Sequence, residues 1–353
     1  MAYQNVGTPI FYIDELSWLN SIRLLQLPGL YQGFANYSDK KALSRCIGLN
    51  PSTQSTFTHD PSVSNTQLIF NFKDLSLKMD WGNINFWGVL GHDFFNRNDI
   101  KYRLVFRTIN DNYPEIKYSE EIVNADNTEN FITPKYNGFS LIKADGLAYS
   151  EGSSMKYVSL DARSLEGANV TGSYTLGSVV YGRYYEMPHS PDLKLTMTRE
   201  MDGVKRIRTK GGVDLVNHRY IKPPMWGDAG AWEIYDGTPT TPKLSRSGRR
   251  TWDLSFSYLQ DSDVFGSNQT IGNFSTFWYP TALQFGGTLE DYEDGDTSSS
   301  GFAYNLLTDD NFFSQVIHKT NGGQLPFIFQ PDKDNNNPDQ FAICKFDMNS
   351  FKF

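Results

Sequence analysis

The residue types that most often do chemistry in enzymes are present in this chain, but without the spacing that such chemistry needs. None of the histidines stands in an H-x-H or H-E-x-x-H arrangement, and the two cysteines, Cys46 and Cys344, form no C-x-x-C pair. Zinc sites are recognised from such spacings. The chain also lacks the G-x-S-x-G, P-loop and G-x-G-x-x-G motifs of nucleophilic serines and phosphate binding. We therefore predict no metal and no cofactor. The histidines are His59, His92, His189, His218 and His318.

A glycosidase would need a pair of carboxylates, which can lie far apart in a sequence. No flanking motif marks such a pair here, so we interpret the acidic residues as surface residues. Together with the missing motifs, this predicts that the protein is not an enzyme.

His92 and Asp93 directly follow an apolar run, in GVLGHDFF. Side by side they could act as an acid–base pair. The alternative is a polar strand end whose side chains hold the following turn. We favour the second interpretation.

The segment PDKDNNNPDQ, residues 331–340, places Asp332, Asp334 and Asn336 at alternating positions, as a calcium loop does. A helix–loop–helix calcium site needs glycine at its sixth position and glutamate at its twelfth. Asn337 and Ile343 stand there instead. We therefore predict a solvated hairpin loop.

Charge is distributed unevenly in the second half of the chain. Seven basic and three acidic residues lie between Arg199 and Lys222, whereas seven acidic residues and no lysine or arginine lie between Gln284 and Asp310. Two solvated faces of one domain would have this pattern. So would two surfaces that meet between neighbouring subunits. The candidate subunit-interface residues are Lys205, Arg206, Arg208, Lys210, Glu290, Asp291, Glu293 and Asp294.

The elements that position these residues are predicted to be strands. Aromatic residues form 15% of the chain, and 29 glycines and 16 prolines separate short runs of alternating polarity, as in sandwiches and barrels. The net charge of −8 argues against direct nucleic-acid binding. No apolar stretch is long enough to cross a membrane, and no secretory signal is visible at the N-terminus, so we expect two free thiols.

We predict an all-β protein with little helix and three segments. Residues 1–66 form an N-terminal arm and loop-rich segment that could belong to the last domain. Residues 67–187 form a β-sandwich, and residues 188–353 form a second β-rich domain of sandwich or barrel type. Helix is expected only within 10–24 and, from Thr308, within 305–320. A hairpin turn is expected at Asp202-Gly203.

Two stretches of the predicted sandwich, NINFWGVLGHDFF and LGSVVYGRYYEMPHSPDL, resemble paired strands of galactose-binding-like (discoidin-type) jelly rolls in phage structural proteins. Downstream, RSGRRTWDLSFSYL and LPFIFQPDKDNNNPDQFAICKFD are similar to the final domain of tail-associated proteins of tailed phages. The resemblance implies a distal tail or tail-tip protein in a symmetric ring. For a sugar-binding sandwich it would imply stacking on Trp81, Trp87 or Tyr184, although core packing uses such rings more often.

Three functions follow as expectations. The first is a structural subunit of a tailed-phage virion, made in the host cytoplasm, that contacts copies of itself and other virion proteins at the tail end. The second is a capsid decoration or head-fibre protein. The third is a receptor- or glycan-binding module that contacts a host-surface glycan, with Trp87 and Tyr184 as the candidate contact residues.

Overall fold

The structure is a computed structural model. It describes residues 7–32, 42–51, 53–60, 65–72, 84–96, 100–108, 118–123, 126–128, 131–144, 155–164, 172–200, 205–217, 225–226, 229–230, 249–264 and 310–347.

Short strands make up most of the described chain, which confirms the prediction of an all-β protein with little helix. In chain order they are β1 Ile10–Tyr12, β2 Leu25–Gln32, β3 Ser55–Thr58, β4 Asn65–Phe72, β5 Phe86–His92, β6 Ile100–Thr108, β7 Tyr118–Val123, β8 Asp126–Thr128, β9 Phe131–Thr133, β10 Gly138–Ala144, β11 Met155–Ser164, β12 Ser173–Leu176, β13 Ser178–Gly182, β14 Tyr184–Glu186, β15 Thr196–Glu200, β16 Lys205–Arg208, β17 Asp214–Asn217, β18 Met225–Trp226, β19 Ala229–Gly230, β20 Arg249–Asp253, β21 Phe327–Gln330 and β22 Ala342–Cys344.

The described helices are short. The α-helices are α1 Glu15–Ser21, α2 Ala42–Arg45 and α3 Asp261–Val264, and a π-helical turn at Phe313–Ile317 continues into a 3₁₀ turn at His318–Thr320. Further 3₁₀ turns lie at Phe94–Asn96 and Pro338–Gln340. Helix within 10–24 is therefore confirmed as α1. In the predicted helix 305–320, residues 305–309 lie outside the described residues. The described remainder contains the π-helical turn, and the side chain of Asn311 just before it accepts the backbone N–H of Ser314.

Three antiparallel sheets form the body of the protein. Their strand orders are β2-β4-β11-β6-β9-β8, β13-β5-β10-β7 and β14-β1-β21-β22. Two-stranded pairs are β3 with β12, β15 with β20, β16 with β17 and β18 with β19.

The sheet β13-β5-β10-β7 is the middle layer, because its side chains enter two different cores. Trp87 and Val89 of β5 pack in one core with residues of β4, β6 and β11, whereas Phe86 and Leu90 pack in a second core with residues of β1, β21 and β22. Successive residues of a strand point to opposite faces, so every residue of β5 is buried. Other side chains of the third sheet, such as Phe11 and Phe329, form a third core with residues of the π-helical turn.

The third sheet contains strands from all three predicted segments. Its strand β1 pairs with β14 through Phe11 and Tyr185 and with β21 through Phe11 and Phe329. The N-terminal segment therefore joins strands of 188–353, as the prediction allowed. It also pairs with 67–187, because β3 pairs with β12 and β4 already begins at Asn65. The domain boundaries and the jelly-roll topology stay predictions.

Asp202 and Gly203, the predicted turn, lie outside the described residues. The described strands on either side of them do not pair with each other, so a hairpin of these two strands is wrong. Strand β15 pairs with β20 through Thr198 and Thr251, and β16 pairs with β17. The turn that joins β16 to β17 contains Gly211 and Gly212, and Gly212 has a φ of 83°. A glycine accepts this left-handed conformation at little cost, which is why the chain reverses there.

Candidate interaction surface

The hairpin of β16 and β17, residues 205–217, is the most exposed regular element that the structure describes. Its turn is held by two backbone hydrogen bonds, in which the N–H of Thr209 donates to the carbonyl of Val213 and the N–H of Gly212 to the carbonyl of Thr209, both at 2.9 Å. The Thr209 hydroxyl also donates to the Val213 carbonyl at 3.0 Å. The turn is thus well defined although the hairpin has no third strand among the described residues.

The register of the hairpin gives it two different faces. Ile207 lies opposite Leu215, and Arg206 lies opposite Val216. Directly paired residues of antiparallel strands share a face, and alternate residues share it too. One face therefore presents Lys205, Ile207, Thr209, Val213, Leu215 and Asn217, which we call the apolar face, and the other presents Arg206, Arg208, Asp214 and Val216, which we call the basic face.

The apolar face is open to solvent. Ile207, Val213 and Leu215 are 63%, 61% and 57% exposed. Three large aliphatic side chains exposed on one side of a two-stranded ribbon make this face a candidate interaction surface. An isolated hairpin is also only marginally stable in water, so a partner on this face would stabilise the hairpin itself.

The basic face is partly neutralised by one carboxylate. Asp214 forms ion pairs with Arg206 and, at 3.4 Å, with Arg208. All three side chains are on one face and both arginines are largely exposed, so these pairs contribute little to stability. They do orient the two guanidinium groups along the hairpin, away from the apolar face.

Lys205, Arg206, Arg208 and Lys210, the basic half of the predicted interface, all lie on this hairpin and are exposed. The structure separates them. Lys205 lies on the apolar face, Lys210 lies in the turn, and Arg206 and Arg208 lie on the basic face. Whether they contact another subunit stays a prediction. The acidic half, Glu290, Asp291, Glu293 and Asp294, lies outside the described residues.

A second pair of exposed apolar side chains, Leu193 and Tyr258, flanks a tight polar tie. The Asp192 carboxylate accepts hydrogen bonds from the hydroxyls of Ser255 and Ser257 at 3.0 and 2.7 Å. These bonds, that of Ser257 foremost, hold the pKa of Asp192 below its usual value. The tie fixes the chain before β15 against the chain after β20.

The candidate glycan contacts lie in different surroundings. Trp87 is 2% exposed and packs edge-to-face on Tyr102, with ring centroids 5.9 Å apart. Stacking a sugar on Trp87 is therefore wrong for this structure, because the ring faces the core between two sheets. Tyr184 is partly exposed, with the Lys143 ammonium 5.4 Å from its ring centre. Trp81 lies outside the described residues.

His92 and Asp93 tie the end of β5 to its neighbours, as the favoured interpretation expects. The buried imidazole of His92 accepts the backbone N–H of Phe94 through Nδ1, and its Nε2 lies 3.1 Å from the Ser140 hydroxyl. Burial lowers the pKa of His92 to about 3, so the ring is neutral near pH 7. Asp93 accepts the backbone N–H of Thr175 at 2.8 Å.

The loop 331–340 joins β21 to β22 as a hairpin loop, which confirms that prediction. Its polar side chains bind the loop itself: Asp332 accepts the backbone N–H of Asp334, and Asn336 accepts the side-chain amide of the buried Gln330. Across the described part of the chain, no cluster of histidine, cysteine or acidic residues could hold a metal ion.

Both cysteines are free, which confirms the expectation of two thiols. Burial raises the pKa of the Cys46 and Cys344 thiols to about 12. The thiolate is the reactive form, so these shifts disfavour reaction of either thiol near neutral pH.

A buried polar junction between the two ends of the chain was not predicted. Asp14 caps helix α1 by accepting the backbone N–H of Leu16 at 3.2 Å, and the next residue, Glu15, forms a buried ion pair with Lys319. Sequence gives no local signal for a contact across 304 positions. The ionic pair is enclosed by packed elements, so we interpret it as a structural tie.

No helix in the described ranges has both the length and the apolar character needed to cross a membrane.

Comparison with known proteins does not assign the chain to a family. No protein-family model matches it, and no curated protein gives a significant match.

Proposed function

We propose that the protein is a non-catalytic structural subunit that assembles with copies of itself and with other proteins of a tailed-phage virion, as a tail-tip or distal tail component. The hairpin 205–217 carries the assembly part of this proposal. A folded chain that presents three aliphatic side chains on an ordered ribbon has a surface suited to a protein partner.

The layered body suits such a role. Three stacked sheets with three separate cores provide a rigid support from which a hairpin and loops can be presented. Interaction residues placed on loops and hairpins of a rigid β scaffold are common among binding proteins. The virion and the tail are supported by the resemblance of the strand sequences described above.

The glycan-binding alternative loses support, because the Trp87 ring lies in the core. The capsid-decoration alternative shares every structural argument with the tail-tip proposal. Position in the particle is therefore what the experiment must measure.

The experiment is immunogold electron microscopy of purified virions of the phage that encodes this chain, with an antibody raised against it. We expect gold particles at the end of the tail. Label on the capsid shell would replace the tail assignment with the decoration alternative. Virions that contain no copy of the chain by mass spectrometry would overturn the structural role itself.

A further inference from the structure

The apolar face of the hairpin has no covering element among the described residues, yet the turn and register of the hairpin are well defined. We infer that this face docks on an acidic surface of a second copy of the chain, in a head-to-tail contact. The inference rests on the proposed assembly function and adds the surface and the partner to it.

Charge complementarity points to a second copy. Residues 205–217 contain four cationic side chains and one carboxylate, a net charge of +3, whereas the whole chain has a net charge of −8. The rest of each copy therefore has a net charge of −11. A basic hairpin is attracted to such a body, and opposite charges both speed association and fix its register.

The same charges disfavour a contact between two hairpins. Each hairpin is cationic, with Lys205 on the apolar face and Lys210 in the turn. Pairing the two apolar faces about a two-fold axis would bring like charges together in both relative orientations. The contact is therefore heterologous, and contacts of this kind build closed rings or open filaments.

Only one face of the hairpin is suited to the contact. Arg206 and Arg208 are paired with Asp214 on the opposite side. Lys205 lies in line with Ile207 and can meet an acidic rim around the apolar contact. The rest of the second copy supplies the acidic groups, since its negative charges exceed its positive charges by 11.

The contact is small. Stable interfaces bury about 800 Å² on each partner, more than three aliphatic side chains provide. The hairpin therefore sets the register of a larger contact rather than supplying all of its affinity.

The test is site-specific photo-crosslinking of the full chain. Leu215→Cys, in a chain that also carries Cys344→Ser, places a single accessible thiol on the apolar face, because Cys46 is fully buried. The thiol is coupled to a maleimide-diazirine reagent, and ¹⁵N-labelled and unlabelled chains are mixed before irradiation. Mixed-isotope crosslinked peptides identify contacts between copies. Val216→Cys, the adjacent residue on the basic face, is the matched control.

We expect mixed-isotope crosslinks from residue 215 to acidic peptides outside 205–217, at least roughly fivefold more abundant than from residue 216, because a diazirine reacts with the groups nearest to it and residue 216 is on the opposite face. Crosslinks from 215 to residues 205–217 of the second copy would show a two-fold contact and overturn the head-to-tail arrangement. An absence of mixed-isotope crosslinks at the highest soluble concentration would overturn docking on a second copy.

Charge is tested separately with Lys205→Gln and Arg206→Gln, which remove the same charge from opposite faces. Mass photometry should show the dissociation constant of the oligomer raised roughly tenfold by Lys205→Gln at low salt and changed less than twofold by Arg206→Gln. Equal effects would overturn the assignment of the contact to the apolar face.

Duplex DNA is the competing acidic partner. Tight, salt-dependent binding of DNA by the wild-type chain that is lost in Lys205→Gln would overturn the inference in favour of nucleic acid. An oligomer that forms unchanged in every hairpin variant would also overturn it. That outcome would leave the proposed virion role standing, because immunogold labelling decides that role independently.

Discussion

The Lys319 ammonium donates a hydrogen bond to the Glu15 carboxylate, and both side chains are buried. The pair joins the first helix of the chain to the 3₁₀ turn that follows the π-helical turn. Glu15 lies beside Gly182 at the end of β13, so the pair connects the N-terminal and C-terminal parts of the chain next to the middle sheet.

Removing one partner of this pair should destabilise the fold strongly. Glu15→Gln or Lys319→Met leaves a buried charge without its partner, which costs about 3–5 kcal/mol. Urea denaturation should show this loss for each single variant and less than the sum for the double variant. Lys333→Met removes the exposed pair with Glu186 and should change the unfolding free energy little. Additive losses in the double variant would show that the two charges do not interact.

Asp14 should make stability depend on pH. Burial raises the pKa of its carboxyl from 3.8 to about 7, although the hydrogen bond from Ser17 opposes the shift. Because the folded state holds this proton more tightly than the unfolded chain, the associated stability is complete below pH 3.8 and declines as the pH rises to about 7.

Asp14→Asn retains a side-chain oxygen that can cap α1 but has no proton to lose. Between about pH 4 and 7 we expect its stability, measured relative to the wild type by urea denaturation, to rise with pH. Taking the difference between the two proteins cancels the opposite effect of His92, whose pKa is lowered to about 3 by burial. A flat difference would mean that Asp14 does not titrate in this range.

Trp87→Ala should lower the free energy of unfolding of the protein rather than remove a ligand contact. The ring fills the core between two sheets, and truncation of a buried tryptophan costs about 3–5 kcal/mol. Thermal unfolding measures the loss. Tyr184→Ala, which removes a partly exposed ring, should lower the melting temperature less and is the proper variant for a glycan array. Binding that Tyr184→Ala abolishes would restore the glycan-binding alternative.

Gly177→Ala tests the close packing beside β13. A Cβ at residue 177 would lie 2.5 Å from the carbonyl oxygen of Pro51 and 2.7 Å from its Cα, and backbone cannot rotate away as a side chain can. We expect a loss of about 1–3 kcal/mol in chemical denaturation. Gly211→Ala is the control, because no heavy atom lies within 4 Å of its Cβ position. Equal stability of the two variants would contradict this packing.

The sequence predicts what depends on local pattern. Alternating polarity and glycine turns indicate strands, so the fold class, the helix after residue 14 and the loop 331–340 could all be predicted. The hairpin 205–217 was within reach, since Ile207, Val213 and Leu215 alternate with polar residues around Gly211-Gly212. An Asp-Gly pair is a strong hairpin signal, so the sequence predicts the turn at residue 202 instead.

Pairings between distant segments could not be predicted. Strand β1 consists of three apolar residues. Both strands that pair with it lie more than 170 residues further along the chain, so no local turn signal indicates these neighbours. The Glu15–Lys319 pair could not be predicted for the same reason, because its two residues are 304 positions apart. Trp87 could be assigned to the core or to a ligand surface from sequence, and only the stacking of three sheets decides between them.

The place of β1 between β14 and β21 sets a condition on how the protein is made. Ribosomes add about 5–20 residues per second, so Phe11 emerges tens of seconds before Phe329, its partner in β21. Throughout that interval the first strand lacks one of its two neighbours, and an unpaired apolar strand edge readily associates with other chains. Synthesis of the last few dozen residues is therefore the step that ends the exposure of the first strand, and a nascent chain released before it would be prone to aggregate.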